Sequence, residues 1–162
     1  MARSWAFLAG LTILLSGCAA TEPVERLSAA CPLLANPQAG FYLESGLVVT
    51  EGPQQSDTPV YACEYRRGNE IVFGFSVTEV PARGQTPTTL INSIARRARA
   101  RTTNIDGLGD AAVYYELQRR RFAVLTVAKQ SDANIRVIAL NGQMPFSQTR
   151  LSALASIVLR QV

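Results

Sequence analysis

Alternation of apolar and polar positions predicts a β-hairpin over residues 60–78. A period of two places the side chains of Tyr61, Cys63 and Tyr65 on one face of the first strand. In the second strand, Ile71, Phe73, Phe75 and Val77 alternate in the same way with Val72, Gly74, Ser76 and Thr78. The residues at 66–69, Arg-Arg-Gly-Asn, interrupt the pattern and are typical of a turn. We therefore expect the face that carries Phe73 to lie in the core.

A period of 3.6 residues predicts two amphipathic helices. The first begins with Thr86 as the N-cap and Pro87 at the first helical position, a combination typical of helix starts. Its apolar stripe consists of Leu90, Ile91, Ile94, Ala95 and Ala98. The second helix covers 147–162, and its apolar side consists of Leu151, Leu154, Ala155, Val158, Leu159 and Val162.

Three more strands are predicted between these helices, at 112–117, 122–128 and 135–140. The links between neighbouring strands are short. Short links favour antiparallel pairing, because a parallel crossover needs about a dozen residues or more. We therefore expect an α+β fold in which a mainly antiparallel sheet of about five strands packs with two amphipathic helices. Hydrophobic residues make up 48% of the chain, enough for one domain with a real core, which we place at 28–162.

The first residues follow the pattern of an export signal. One positive charge at Arg3 precedes an apolar run over 5–15. This run is too short to span a bilayer, since a spanning helix needs about twenty residues. The following Leu-Ser-Gly-Cys at 15–18 resembles the lipobox of bacterial lipoproteins. The alternative is a buried N-terminal helix with an incidental cysteine.

The lipobox resemblance implies a lipid anchor at Cys18. In that family the cysteine thiol receives a diacylglyceryl group, a peptidase cuts just before it, and the new amino terminus can be acylated. Residues 1–17 would then be a lipoprotein signal peptide, and 18–27 a lipidated tether on the extracytoplasmic side of a bacterial cell envelope. Ala19 in place of Asp resembles the outer-membrane pattern, if the cell has two membranes.

Two further cysteines, Cys31 and Cys63, remain once Cys18 is assigned to the lipid. An even pair in an exported protein favours a disulfide bond. Closing that loop would stabilise the fold by about 3.5 to 4 kcal/mol if chain entropy dominates. A metal pair or a redox pair is the alternative, although the chain has no CxxC spacing and no other cysteine or histidine ligand.

Composition excludes several kinds of chemistry. The chain has no histidine, which excludes Ser-His-Asp and Cys-His catalysis and histidine metal sites. A net charge of +4 is too small to argue for nucleic acid, and no nucleic-acid partner is expected. We expect no cofactor, no metal ion and no catalytic residue.

The stretch Gly107-Leu108-Gly109-Asp110 is the most distinctive short motif. Two glycines beside aspartates could form an anion nest or a cation loop. The stretch lacks the third glycine, the lysine and the helix of a phosphate cradle, and it supplies too few carboxylates for calcium. We favour a tight structural turn, in which Gly107 and Gly109 adopt positive φ and Asp110 binds nearby backbone amides.

Charged residues supply the other candidate sites. Two basic clusters contain Arg96, Arg97, Arg99 and Arg101, and then Arg119, Arg120 and Arg121. They either contact anionic lipid headgroups or form solvated surfaces, and we favour the solvated surfaces. Four glutamates lie on predicted strands, where a catalytic carboxylate pair would require spatial proximity: Glu64, Glu70, Glu79 and Glu116.

Several short stretches together resemble one family. They are Ala-Cys-Pro-Leu-Leu at 30–34, Cys-Glu-Tyr at 63–65, Gly-Leu-Gly-Asp-Ala-Ala at 107–112 and Phe-Ala-Val-Leu-Thr-Val at 122–127, followed by a closing helix rich in Ala and Leu. They resemble the DUF3558-type envelope lipoproteins of high-GC bacteria and, through them, the Mog1/PsbP-like α/β/α sandwiches. The resemblance implies a bridged Cys31–Cys63 pair and a fold-signature turn at 107–110, and it implies no activity.

The sequence thus favours a lipid-anchored envelope protein that is not an enzyme. We expect it to bind a small or lipidic ligand, or a protein partner, through an exposed apolar patch or a cleft between sheet and helix. The alternatives are a structural or assembly factor of an envelope complex that acts through its Arg-rich faces, and an enzyme that uses carboxylates. The membrane, reached through Cys18, is the one partner expected in each case.

Overall fold

The computed structural model describes residues 29–35, 37–52 and 60–162. The predicted signal peptide, the lipid attachment site at Cys18 and the whole predicted tether lie outside the described residues.

One antiparallel sheet of seven strands forms the centre of the described chain. Its strands are β1 (Val48–Glu51), β2 (Val60–Arg67), β3 (Glu70–Pro81), β4 (Thr102–Asn104), β5 (Ala111–Leu117), β6 (Phe122–Ser131) and β7 (Asn134–Gln143). Their order across the sheet is β1-β2-β3-β7-β6-β5-β4. The helices are α1 (Pro37–Gly40), α2 (Pro87–Ala98) and α3 (Gln148–Leu159), with 3₁₀ turns at Cys31–Leu34 and Gln118–Arg120.

The α+β class and the antiparallel sheet are confirmed, but the predicted number of about five strands is wrong. The two additional strands are β1 and β4, which form the two edges of the sheet. All four residues of β1 are exposed, and the three residues of β4 are Thr-Thr-Asn. Neither strand has a buried face, so neither produces the apolar alternation by which a strand is recognised.

The two long helices begin where their capping residues predict. The side chain of Thr86 accepts a hydrogen bond from the backbone N–H of Thr89, whose hydroxyl in turn accepts from the N–H of Thr86. This reciprocal capping box satisfies two N–H groups that a helix start leaves unpaired. Ser147 caps α3 by accepting from the N–H of Arg150 at 3.2 Å.

The helices cover opposite faces of the sheet. The larger core joins α3 to the face that carries Phe73, which is fully buried as predicted. The smaller core joins Ile91 of α2 to Val113 and Ala128 on the other face. Because side chains alternate across a strand, the two helices and the sheet make three layers.

A bulge changes the face of one predicted core residue. The pairing of β2 with β3 shifts register between Tyr65 and Arg66. Beyond this shift Val72 is buried in the core beside Phe73, whereas Ile71 is only half-buried and lies near Gly74. The prediction that Ile71 shares the Phe73 face is therefore wrong, since one extra residue in a strand reverses every side chain beyond it.

The predicted Cys31–Cys63 pair forms a disulfide bond, with Cα atoms 5.0 Å apart. It joins the 3₁₀ turn at Cys31–Leu34 to β2, the strand next to the edge strand β1. The backbone N–H of Cys31 also donates to Glu51 of β1 at 3.0 Å. The start of the described chain is thus fixed to the β1 side of the sheet by a covalent bond and a hydrogen bond.

Candidate functional site

Helix α2 covers only part of its face of the sheet. Its packing is on β5 and β6, and the rest of that face carries a trough of about 390 Å³. The trough is lined by Ala62, Glu64, Ile71, Gly74, Ser76, Leu117, Phe122 and Asn141, with backbone of Cys63 and Phe75. We call this space the trough.

Small residues form the floor of the trough and large apolar residues form its sides. Ala62 and Ser76 are paired across β2 and β3, and Gly74 is the next floor position along β3. Their short side chains leave the sheet backbone accessible to a bound molecule. Ile71, Leu117 and Phe122 are half-buried and supply the apolar walls.

The charge nearest the trough floor is already neutralised. Glu64 accepts two hydrogen bonds from the guanidinium of Arg66, at 3.0 and 2.6 Å. Glu64 is therefore paired within its own strand, and the trough is mainly an apolar surface with Asn141 as a further polar group.

A second and larger space lies where α2 ends beside the end of β5. It has a volume of about 1150 Å³ and is lined by Ala98, Arg99, Ala100, Arg101, Thr103 and residues 114–119. Strand β4 pairs only with residues 113–115 of β5, so this space borders Glu116 and Leu117 beyond the end of that pairing. We call it the arginine cavity.

The arginine cavity brings together the two basic clusters seen in the sequence. Arg99 and Arg101 come from the end of α2, and Arg119 comes from the turn between β5 and β6. Arg96 and Arg97 are exposed in the last turn of α2, and Arg121 is exposed at the start of β6. The side chain of Arg120 lies outside the described part of the structure.

No described residue forms an ion pair with Arg99, Arg101 or Arg119. The carboxylate inside the cavity, Glu116, has other partners: it accepts from the Tyr114 hydroxyl at 2.8 Å and from the Gln118 amide at 2.9 Å. These partners are neutral, so the described lining of the cavity carries three arginine charges against the one negative charge of Glu116.

The tyrosines of the cavity wall stay protonated well above neutral pH. Burial, then the hydrogen bond to Glu116 and its charge, raise the pKa of Tyr114 to about 12. Burial also raises the pKa of Tyr115, against the effect of its hydrogen bond with Thr126. Both phenols are therefore neutral hydrogen-bonding groups at any physiological pH.

Leu117 lines both the trough and the arginine cavity. It is the last residue of β5 and pairs with Phe122 at the start of β6. The two spaces therefore lie on either side of Leu117, one with a mainly apolar lining and the other lined by three arginines. We call the two spaces together the cleft.

The motif at 107–110 has the geometry that the tight-turn interpretation expects. Gly107 and Gly109 have φ of 72° and 63°. A Cβ atom on Gly109 would lie 2.8 Å from the carbonyl oxygen of Ala128, so only glycine fits there. The carboxylate of Asp110 accepts from the backbone N–H of Gln130 at 2.6 Å, which holds the start of β5 against β6.

The four candidate glutamates contact four different sets of partners. Glu64 pairs with Arg66, Glu79 with Arg136, Glu70 with Gln143, and Glu116 with Tyr114 and Gln118. The expectation that the protein is not an enzyme stays a prediction.

The described residues contain neither a metal-binding cluster nor a membrane-spanning helix. No cluster of three or more Cys, Asp or Glu side chains in this part of the chain could hold a metal ion. Nor does it contain a helix of the length and apolarity that crossing a membrane requires.

The trough residues were missed in the sequence, although a signal for them exists. On the predicted strand over 71–78, the positions opposite Phe73 include Gly74 and Ser76, which are small for a packed surface. Leu117 and Phe122 flank a predicted turn, and the sequence there does not show which residues their side chains contact.

Comparison with known proteins assigns no family to this chain. No family model, curated protein or solved structure matches it. The function of the protein is therefore inferred from the geometry of the cleft and from the sequence motifs.

Proposed function

We propose that this protein is a lipid-anchored binding protein of the bacterial cell envelope, and that its cleft takes an amphipathic anion. The ligand has an apolar body, which lies in the trough, and a carboxylate or phosphate group, which lies in the arginine cavity. The observation that carries the proposal is the position of Leu117, which joins an apolar space to a cationic one.

The size and lining of the cleft support a small or lipidic ligand. Ligand pockets commonly have volumes of about 300–1,000 Å³. The volume of the trough, about 390 Å³, lies within this range. The volume of the arginine cavity, about 1150 Å³, lies just above it. Apolar walls supply affinity by burying the ligand's hydrocarbon. A small number of polar groups at one end fix the orientation of the ligand.

The charge of the cleft supports an anion. Arginine presents a planar group of donors that matches carboxylate and phosphate oxygens. Arg99, Arg101 and Arg119 line the cavity without an ion-pair partner among the described residues. A ligand anion would supply the missing counter-charge.

The proposed location depends on the N-terminal sequence. The lipobox-like residues 15–18 favour lipidation of Cys18, and a disulfide between Cys31 and Cys63 is typical of a compartment outside the cytoplasm. The protein would face the extracytoplasmic side, on the outer membrane if the cell has two membranes.

The test is a calorimetric titration of the full-length protein, held in lipid nanodiscs, with octyl phosphate. Octanol is the matched neutral ligand and empty nanodiscs are the blank. The proposal predicts saturable binding of octyl phosphate at least about tenfold tighter than that of octanol, the ratio that one charge-assisted contact supplies. Equal binding of the two ligands, or none above the blank, would contradict it.

An assembly role through the Arg-rich faces is the alternative that the same titration separates. That role requires exposed arginines such as Arg96 and Arg97 and does not require the trough. It predicts salt-sensitive association with envelope proteins and no saturable binding of octyl phosphate.

A further inference from the structure

The strongly exposed large apolar side chains of the described residues all lie between residues 41 and 49. They are Phe41, which is 88% exposed, Val48 at 59%, Val49 at 47% and Tyr42 at 36%. We call this group the apolar edge. Single exposed apolar residues are ordinary on a protein surface. Here Val48 and Val49 lie on the two faces of the edge strand β1, and Val49 lines a shallow cavity together with Gly40, which directly precedes Phe41 and Tyr42. A group of this kind indicates an interaction surface.

The chain that leads to Cys18 joins the domain at the same side. The backbone N–H groups of Ala30 and Cys31 donate to the carboxylate of Glu51, at 3.4 and 3.0 Å. Glu51 is the last residue of β1, the strand that carries Val48 and Val49. The tether therefore starts beside the apolar edge.

The distance to the proposed lipid is short. Only residues 19–28 separate Cys18 from the described chain, and a fully extended segment of that length spans at most about 35 Å. A lipid on Cys18 would hold the apolar edge within that distance of a bilayer, which gives the bilayer a high effective concentration there.

The side chains around the edge fit a bilayer surface. Phe41 and Tyr42 line a shallow cavity together with Arg160 of the last turn of the chain. The guanidinium of Arg150 donates to the backbone carbonyl of Tyr42. Aromatic rings beside arginines are typical of the zone between lipid headgroups and acyl chains, because the rings enter the apolar layer and the cations contact anionic headgroups.

We infer that the apolar edge contacts the surface of the membrane that holds Cys18. This inference rests on the proposed lipid anchor and is independent of what the cleft binds. The contact would orient the domain with β1 towards the bilayer and with β4, at the other edge of the sheet, away from it. The arginine cavity, which lies beside β4, would then open away from the membrane.

The test uses tryptophan as a depth reporter in the full-length lipidated protein. Trp5 is the only natural tryptophan and lies in the predicted signal peptide, so the wild type supplies the background. Phe41→Trp and Val48→Trp place a reporter on the apolar edge. Asn104→Trp, at an exposed position of β4 on the opposite edge of the sheet, is the matched control. Each variant is reconstituted in vesicles of phosphatidylethanolamine and phosphatidylglycerol that contain brominated acyl chains.

The inference predicts blue-shifted emission and bromolipid quenching for the two edge reporters, with no quenching for N104W. Edge reporters that stay unquenched while the protein remains lipidated in the vesicles would overturn it and leave the proposed function intact. Blue-shifted emission without bromolipid quenching would mean that protein covers the edge, which also overturns it. If mass spectrometry finds no lipid on Cys18, the proposed anchor fails, and the inference fails with it.

Discussion

Arg99 and Arg119 line the same cavity, although β4 and β5 separate them in the sequence. Arg99 follows the last residue of α2, and Arg119 lies in the turn after β5. The antiparallel packing of these elements gathers positive charge at one end of the sheet. This positive charge lies beside the apolar trough, because Leu117 lines both spaces.

Removing two cavity charges should weaken anion binding selectively. We expect R101Q/R119Q to lower the affinity for octyl phosphate by about 100-fold or more, since two contacts are removed and hydrogen bonds to charged groups contribute about 1.5–3 kcal/mol each. The measurement is calorimetric titration in nanodiscs. The binding of octanol should stay unchanged.

A matched variant controls for the loss of net charge. R83Q/R96Q also removes two exposed arginines, neither of which lines the cavity. It should bind octyl phosphate as the wild type does. If both double variants lose the same affinity, binding responds to the overall charge and the cavity has no special role.

Filling the trough should block binding without unfolding the protein. A Cβ atom on Gly74 would meet the carbonyl oxygen of Cys63 at 3.5 Å, an ordinary contact, and its φ is not in the left-handed region. Gly74→Leu should therefore fold and should abolish binding of the octyl chain. Gly74→Ala is the graded control: it should raise thermal stability slightly, by up to about 1 kcal/mol, and reduce binding less. A leucine variant that binds normally would show that the trough is not used.

Replacing Arg99 by glycine should affect stability and ligand binding in opposite directions. Its φ of 51° is left-handed, a conformation that costs a residue other than glycine about 1–2 kcal/mol. Arg99→Gly should keep or raise the melting temperature, because the relief of this cost offsets the extra freedom of glycine in the unfolded chain. The same variant should bind octyl phosphate more weakly. A marked fall in melting temperature would mean that the Arg99 side chain supports the fold.

The disulfide should be a major source of stability. The double variant Cys31→Ala/Cys63→Ala opens a loop of 32 residues, and chain entropy predicts a loss of about 3.5 to 4 kcal/mol in the free energy of unfolding. Urea unfolding of the oxidised wild type against this variant measures the loss. Equal midpoints would show that noncovalent contacts, the hydrogen bonds to Glu51 and the burial of Leu33 and Leu34 among them, hold the N-terminal turn without the disulfide.

Alkaline pH should weaken the fold through Tyr65. Burial, and secondarily the charge of Glu51, raise its pKa from 10.0 to about 12. A raised folded pKa means that the folded state binds more protons between these values, so stability is present below pH 10.0 and falls as the pH rises towards about 12. Between pH 10.0 and about 12, Tyr65→Phe should lose less of its free energy of unfolding than the wild type does, because it has no phenol to ionise there. Tyrosinate absorbance and circular dichroism follow the ionisation and the unfolding. An unchanged profile would assign the loss to other groups.

Elements with one buried face could be predicted from the sequence. The hairpin of β2 and β3, the capped start of α2 and the stripe of α3 each produce a periodic pattern. The edge strands could not be predicted, because Val48–Glu51 is exposed throughout and Thr102–Asn104 is polar. The bulge near Tyr65 could not be predicted either, since register is a property of the pair of strands and one strand's sequence does not contain it.

The candidate site was visible only in parts. Both arginine clusters and the small residues opposite Phe73 can be identified in the sequence. The distance between the two arginine clusters, however, depends on where α2 ends relative to β5. The cavity required the three-dimensional arrangement, because Arg101 and Arg119 belong to different connections of the chain.

Native mass spectrometry of the protein, extracted gently from its own membranes, tests lipid anchoring and ligand binding in one experiment. We expect a chain that begins at Cys18, carries its lipid, and retains a further anionic amphiphile. That adduct should be lost in Gly74→Leu and in R101Q/R119Q and kept in R83Q/R96Q. A lipidated chain with no adduct, or an adduct that survives both cleft variants, would contradict the account.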